Sequence, residues 1–254
     1  MSPRLSALLA AVVLALAPGA HADEVRVLAA GAAKHAMETL GPAFERASGH
    51  VVRASYDTVG AQRDRVLQAA PGAAADLVVL SEAAVQQLRE GGRLAAAAPL
   101  PVGRVSVSLA VRAGQPVPDI SDAARLREAL LAAPSIAYAD PARGATAGTH
   151  FARTLDALGI RDAVAAKATV LPFGVDVIEA VAQGRYALGV SQSSEITNHP
   201  GVRLVGALPV PHAQGTGYAA ALASDSAAAR ALLDWLRSPA GLQAFRDSGF
   251  APAP

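Results

Sequence analysis

Residues 25–49 constrain the fold more than any other stretch, because they predict a strand, a tight turn and a helix in immediate succession. Val25 and Val27 favour a strand, and the small residues 29–33 permit a sharp turn. Apolar residues then recur at helical spacing, although Gly41-Pro42 predicts that the helix is kinked or restarts there. Such a unit points free N–H groups at the turn, which suits a small anion. The same pattern is also that of an ordinary first βα unit of an α/β domain.

The first 22 residues predict a secretory signal peptide. Arg4 is the only charge before an apolar run over residues 5–17, and Ala20-His21-Ala22 fits the small-residue cleavage pattern. The run is too short for a membrane span. We therefore expect cleavage after Ala22 and export to the periplasm as a soluble protein.

The composition of the remaining chain excludes several classes of function. The full chain has a formal net charge of +1, and loss of Arg4 with the signal peptide leaves a formal charge of zero. Lys34 and Lys167 are the only lysines, so the sequence has no basic stripe and a nucleic acid partner is not expected. The absence of cysteine excludes disulfides, thiolate catalysis and a lipid-anchored cysteine at the cleavage site.

Strands and helices alternate along the whole chain, which predicts a doubly wound α/β architecture. After the first strand, further strands are predicted at residues 50–56, 76–80, 104–112, 135–138, 169–171, 186–191, 202–205 and 218–222. After the first helix, further helices are predicted at residues 61–70, 82–91, 121–133, 149–158, 175–183, 226–237 and from 239 onward.

Two joints rich in proline and glycine, at residues 99–101 and 209–217, predict that the chain leaves one lobe, builds a second and returns. We predict lobe I at residues 23–101 and 213–254 and lobe II at residues 102–212. Two hinge crossings would then join the lobes, and a ligand cleft is expected between them.

Small-residue turns precede a helix in both predicted lobes, at Gly31-Ala32-Ala33 and at residues 144–148. Two such turns in equivalent places could direct both helix N-termini at one bound anion. Similar turns occur at residues 57–60 and 173–175, and Thr58, Thr146 and Thr149 could add hydroxyl donors. Each threonine is equally explained as a helix cap or a turn residue.

The sequence carries no local signature of an enzyme. Residues 191–194 lack the flanking glycines of a nucleophile elbow, and no pair of histidines has metal-ligand spacing. His35 and His150 both lie at predicted helix starts beside small-residue turns. A solvated first-turn histidine is the commoner explanation for each of them, and a ligand contact or a catalytic role is the alternative.

The order of five motifs resembles the molybdate-binding type II periplasmic solute-binding proteins of ABC importers. The motifs are VRVLAAGAAKHAMETLGPAFERASG, AAADLVVLSE, ADPARGATAGTHFARTLDALGI, GVDVIEAVAQGRYALGVSQSSEI and SPAGLQAFRDSGF. Together they extend over nearly all of the chain after the signal peptide. The resemblance implies two α/β lobes of the type II periplasmic binding protein fold.

The same resemblance implies five positions around a tetrahedral oxyanion. In this family they are a serine after the first strand, a serine after the second, two backbone N–H groups of the second lobe, and a tyrosine hydroxyl. The corresponding residues here are Ala32 next to Gly31, Thr58-Val59, Ala147 with Thr146, Gly174-Val175, and Gln192 in place of the tyrosine. The first hydroxyl is therefore lost, and the amide of Gln192 both donates and accepts hydrogen bonds.

We therefore expect a monomeric solute-binding component of an ABC importer, with no cofactor, no metal and no catalysis. Its ligand would be a small anion, either molybdate or tungstate or a small organic acid, which it would deliver to an inner-membrane permease. Two alternatives stay open. One is a secreted hydrolase or isomerase that uses His35 or His150 as its base; the other is the ligand-binding part of a sensor that docks a receptor.

Overall fold

A computed structural model describes residues 23–253, so the predicted signal peptide lies outside the described residues. The strands are β1 Glu24–Ala30, β2 Val51–Asp57, β3 Leu77–Ser81, β4 Leu100–Arg112, β5 Ile136–Ala139, β6 Ala168–Leu171, β7 Leu188–Gln192, β8 Val202–Ala207 and β9 Gly215–Leu222. The helices are α1 Lys34–Ser48, α2 Val59–Gln68, α3 Glu82–Glu90, α4 Ala123–Ala132, α5 Thr146–Ala157, α6 Arg161–Ala165, α7 Gly174–Ala182, α8 Ser193–Thr197, α9 Ala227–Arg237 and α10 Pro239–Asp247.

The strands form a sheet with the order β2-β1-β3-β9-β4-β7-β5-β6, and β8 pairs with β4 off this path. Strands β1, β2 and β3 run parallel in one half, and β5, β6 and β7 run parallel in the other. Strand β4 joins the halves: it pairs with β9 over residues 100–106 and with β7 and β8 over residues 107–112. The predicted fold class, a type II periplasmic binding protein with two α/β lobes and two crossings, is confirmed.

Helices cover both faces of each half of the sheet, because its parallel strands are apolar on both sides. In the first half, α1 packs with α9 and α10, whereas α2 packs with α3. The second half has two separate apolar clusters, one built on Leu126, Phe151 and Leu155 and the other on Val177 and Ile178. Within residues 23–253, no helix is long and apolar enough to span a bilayer.

Several predicted element boundaries are wrong for identifiable reasons. Helix α1 runs unbroken through Pro42, so it does not restart there, and its buried face packs through Leu40 and Phe44. The first predicted joint ends inside β4, because Pro101 is the second residue of that strand. A proline is tolerated there because it lies near the start of the strand and beside a register shift between Pro101 and Gly103. Helix α4 begins at Ala123 and not at the predicted residue 121, because Asp122 caps it by accepting a hydrogen bond from the N–H of Arg125.

Helix α5 begins at Thr146, three residues before the predicted start. Gly148 in its first turn lies so close to β5 that a Cβ there would come within 1.7 Å of the carbonyl oxygen of Ala139. This close approach brings the first turn of α5 against the end of β5 and therefore to the edge of the cleft. The short helix α6 was not predicted.

Candidate functional site

A cavity of about 260 Å³ lies beyond the carboxyl ends of the parallel strands, between the two halves of the sheet. This is the expected place for a ligand in an open α/β sheet. The residues that sequence reasoning selected all line it: Gly31, Ala32, Thr58, Val59, Thr146, Ala147, Gly174, Val175 and Gln192. The structure brings them together, and their contact with a ligand stays a prediction.

The N-termini of α5 and α7 face this cavity with uncapped first turns. The N-cap residues Ala145 and Phe173 provide no side-chain hydrogen bond to either helix. The first-turn N–H groups of Thr146 and Gly174 therefore have no side-chain partner, and each helix dipole places partial positive charge there. Two such N-termini can bind a carboxylate or an oxyanion.

Thr58 lines the cavity, but its hydroxyl is already occupied. As N-cap of α2 it accepts a hydrogen bond from the N–H of Ala61, with 3.2 Å between N and Oγ1. The same hydroxyl donates to the carbonyl oxygen of Arg143 in the second half of the molecule. Thr58 thus connects the two walls of the cleft and has no free proton for a ligand in this arrangement.

A contact between two glycines reinforces this connection. The N–H of Gly60 donates to the carbonyl of Gly144 at an N–O distance of 3.2 Å. A Cβ on Gly60 would lie 2.7 Å from the Cα of Gly144, and a Cβ on Gly144 would lie 2.6 Å from the Cα of Gly60. Gly144 also has a φ of +74°, which favours glycine. Residues without a side chain are therefore needed where the halves touch.

Arg143 contacts one residue from each half of the molecule. Its guanidinium carbon lies 4.9 Å from the ring centroid of Phe173, and its Nη2 lies 3.4 Å from Oδ1 of Asp57 in the other half. Both charged side chains are partly exposed, so the pair contributes little stability. It does place a positive charge beside Asp57 and Phe173, which line the cavity, and this favours anionic ligands.

Gln192 stands at the end of β7 and begins α8. Its Nε2 donates to Oγ1 of Thr146 across 2.7 Å, and its backbone N–H donates to Oε2 of Glu195 in the first turn of α8. Beside it, Tyr218 is 1% exposed. Burial raises the pKa of Tyr218, so its hydroxyl stays protonated.

Glu195 also lines the cavity, although a carboxyl group is not expected in a site for an anion. Its Oε2 accepts a hydrogen bond from the hydroxyl of Ser191 and another from the N–H of Gln192, at 3.2 Å in the second case. Burial raises the pKa of the Glu195 carboxyl, and these hydrogen bonds offset that effect only in part. Among the described residues, no lysine, arginine or histidine forms a salt bridge with it.

Lys34 and Tyr56 supply polar groups on the wall formed by the first half. Lys34 Nζ lies 5.9 Å from the ring centroid of Tyr56 and 3.8 Å from Oε1 of Glu38. Burial and the nearby charge of Glu38 raise the pKa of Tyr56 to about 12. Lys34 is therefore available as a cation and Tyr56 as a neutral hydrogen-bond donor.

Sequence reasoning missed Lys34, Tyr56, Glu195 and Tyr218. Tyr56 had a signal, because it ends a strand directly before the turn at residues 57–60. Glu195 and Tyr218 had none, since their place in the cavity depends on how the two halves meet.

The two histidines considered as bases do not line the cavity. His35 is exposed on α1. His150 Nε2 lies 2.7 Å from the carbonyl oxygen of His212, and the ring faces a separate surface depression. In the part of the chain that the structure describes, no cluster of three histidine, aspartate or glutamate side chains could hold a metal ion.

Comparisons with known proteins agree with this architecture. Aconitate isomerase from Pseudomonas sp is 33% identical over 267 residues, which include all of this chain and 99% of the relative. The periplasmic molybdate-binding protein of Azotobacter vinelandii has a TM-score of 0.71 at 18% identity, over 91% of this chain and 100% of that one. L-phospholactate-bound PEB3 has a TM-score of 0.65 at 14% identity, over 90% of this chain and 100% of that one.

The model of the family described as "Bacterial extracellular solute-binding protein" matches residues 25–251, which includes every element of the fold and the whole cavity wall. The chain therefore belongs to the bacterial extracellular solute-binding protein family.

Proposed function

We propose that this protein captures a small organic anion with two or more carboxylates in the cleft between its lobes. The observation that carries the proposal is the position of Glu195 in the cavity wall. An oxyanion such as molybdate presents only acceptors, so an ionised carboxylate beside it would be repelled. An organic acid can carry its own hydroxyl or acidic proton and share it with Glu195.

The remaining polar groups can hold such a ligand at several points. The uncapped first turns of α5 and α7 suit one carboxylate. Lys34 and Tyr56 could bind a second carboxylate on the opposite wall, as a cation and a hydrogen-bond donor. A cavity of about 260 Å³ also leaves room for more than one functional group.

The comparisons support an organic ligand without fixing it. The relative at 33% identity is named for an isomerase of aconitate, an organic tricarboxylate. The PEB3 structure was solved with L-phospholactate, which also carries a carboxylate. In keeping with its family, we propose that the protein works in the periplasm as a monomer and delivers its ligand to an ABC permease.

A molybdate-like oxyanion is a second candidate, favoured by the two uncapped helix N-termini. The structural neighbours include a periplasmic molybdate-binding protein, which shows that this fold accommodates such a ligand. Two residues oppose this candidate. Ala32 lacks the serine hydroxyl that the resemblance implies, and an ionised Glu195 would repel an oxyanion.

Calorimetry separates the two ligands. We expect saturable binding of trans-aconitate or cis-aconitate at one site, and weak or no binding of molybdate and tungstate. The variant Ala32→Ser restores a hydroxyl at the first turn, so it should strengthen oxyanion binding by about tenfold while the binding of the acids changes little. Tight binding of molybdate to the unmodified protein, with no heat from the acids, would overturn the proposal.

A further inference from the structure

We propose that Glu195 is a catalytic acid–base residue that moves a proton between two carbons of an unsaturated polycarboxylate bound in the cavity. This inference rests on the proposed binding of an organic acid and adds an activity to it. The sequence pointed instead to His35 or His150 as the base of any enzyme. Neither of them lines the cavity.

Two glycines give the carboxyl of Glu195 its place in the wall. A Cβ on Gly31 would lie 2.7 Å from its Oε1, and a Cβ on Gly174 would lie 2.2 Å from its Oε2. Both glycines themselves line the cavity, one in each half of the molecule. A side chain at either position would force the carboxyl to shift, so the two glycines leave the space that it occupies.

The two oxygens of Glu195 have different roles. Oε2 is held by the hydroxyl of Ser191 and the N–H of Gln192. Oε1 accepts no hydrogen bond from any residue that the structure describes, and it lies on the side of Gly31. One oxygen is therefore fixed by the protein, and the other is left for a proton and a ligand.

The surroundings suit a group that both takes and gives a proton. Burial raises the pKa of the Glu195 carboxyl, which makes it easier for this group to take up a proton and return it. Lys34 and Asp57 are the charged residues that line the cavity with it, and Tyr56 and Tyr218 are the other titratable ones. Both tyrosines stay neutral because their pKa values are raised.

The proposed step balances without a co-reactant. The Glu195 carboxylate removes a proton from the saturated carbon next to one carboxylate of the ligand. The C–H electron pair forms a new double bond to the central carbon, and the former double bond shifts its electrons onto the adjacent carboxylate as an enolate. The protonated Glu195 then returns the proton to the carbon at the far end of the former double bond. The product is the isomer with its double bond moved by one carbon.

Charge that develops on the enolate has partners nearby. The first turns of α5 and α7 present unpaired N–H groups and the positive ends of their dipoles. Lys34 offers a cation on the opposite wall. The relative at 33% identity is named for an isomerase of the same kind of acid.

The test follows trans-aconitate with the purified protein in D₂O by proton NMR, with calorimetric binding measured on the same samples. We expect conversion to cis-aconitate with deuterium entering at carbon. Glu195→Gln should lower kcat at least about 100-fold while the dissociation constant changes only a few-fold. Glu195→Asp should retain part of the rate, with a shifted pH profile. His35→Gln and His150→Gln should react like the unmodified protein.

Each result is decisive. Binding without isomerisation or deuterium exchange overturns the activity and leaves the proposed binding function standing. Absence of binding overturns both. Turnover that survives in Glu195→Gln removes Glu195 from the chemistry, and so do an unchanged rate and pH profile in Glu195→Asp if the first variant does not fold. Loss of turnover in His35→Gln or His150→Gln alone would transfer the role to that histidine.

Discussion

Asp76 and Glu195 are two carboxyl groups that are largely removed from solvent, but only Asp76 is paired with a cation. Asp76 is 8% exposed and faces Arg26, whose Nε lies 3.0 Å from Oδ2. It also accepts hydrogen bonds from the N–H of Arg26 and the hydroxyl of Ser224, at 2.9 and 2.8 Å. Glu195 accepts two hydrogen bonds and forms no ion pair with any residue that the structure describes.

The comparison separates a structural carboxyl from a functional one. Burial raises the pKa of Asp76, but the bonds from Arg26 and Ser224 outweigh it, so the net pKa is lowered and the group stays charged. The pKa of Glu195 is raised because burial has no such compensation. A partly buried carboxyl that has no ion pair takes up a proton more readily, which is the property that proton transfer requires.

The largest effect is expected from Asp76→Asn. The change leaves Arg26 without its anionic partner between β1 and β3, so the free energy of unfolding should fall by about 2–3 kcal/mol at pH 7. Because the folded-state pKa of Asp76 is lowered, its contribution is present above the unfolded pKa of about 3.9 and is lost on acidification. The difference between the proteins should therefore shrink below about pH 4.

Chemical denaturation at several pH values measures this difference. Asp64→Asn is the matched control, since the side chain of Asp64 is half-exposed and its one ion pair within residues 23–253 is with its neighbour Arg63. It should cost no more than about 0.5 kcal/mol. Equal losses from the two variants would mean that the Asp76 network does not stabilise the fold.

These two carboxyl groups also show which features could be predicted from the sequence and which could not. The strand at residues 76–80 was predicted from its apolar run, and Asp76 lies at its edge, where local pattern is informative. The nine selected residues line the cavity because they lie at a strand end or in the turn or helix start after one, which local pattern also reveals. Glu195 was missed because it lies next to Gly31 and Gly174, which are distant in sequence and come together only where the two halves meet.

The bonds between halves were hidden for the same reason. Thr58 was read as a ligand donor, whereas its hydroxyl donates to the carbonyl of Arg143, 85 residues away. Pro101 was read as a joint because proline usually interrupts a strand. Its pairing with Ala219 in β9 could not be inferred from neighbouring residues.

A smaller effect of opposite sign is expected for the stability of Glu195→Gln. A raised folded-state pKa means that Glu195 contributes stability below its unfolded pKa, and that this is lost as the pH rises through the folded pKa. The neutral amide avoids this loss. Glu195→Gln should match the unmodified protein at pH 4 and exceed it at pH 8 by about 1 kcal/mol, or about 2–4 °C in Tm.

Thermal melts across this pH range test whether Glu195→Gln is more or less stable than the unmodified protein. Glu179→Gln is the control, because the pKa of Glu179 is lowered by hydrogen bonds from His199 and Gln183. It should show no gain at high pH. A Glu195 variant that is less stable than the unmodified protein at pH 8 would mean that the ionised carboxyl has a compensating partner.

The smallest effect concerns the hydroxyl that holds Oε2 of Glu195. Ser191 is 0% exposed and donates to this oxygen, which favours the ionised carboxyl. Ser191→Ala should cost about 1 kcal/mol at pH 8 and less at pH 4, where the carboxyl is protonated. It should also move the pH profile of any proton transfer to higher pH. In a Glu195→Gln background the cost at pH 8 should shrink, because the two side chains act on each other. Ser194→Ala is the matched control: Ser194 is also buried, and its hydroxyl has no hydrogen-bond partner among residues 23–253. Removing that hydroxyl should leave stability unchanged or raise it slightly.

An equal, pH-independent loss of stability in both serine variants would mean that Ser191 contributes through packing and leaves the proton affinity of Glu195 unaffected.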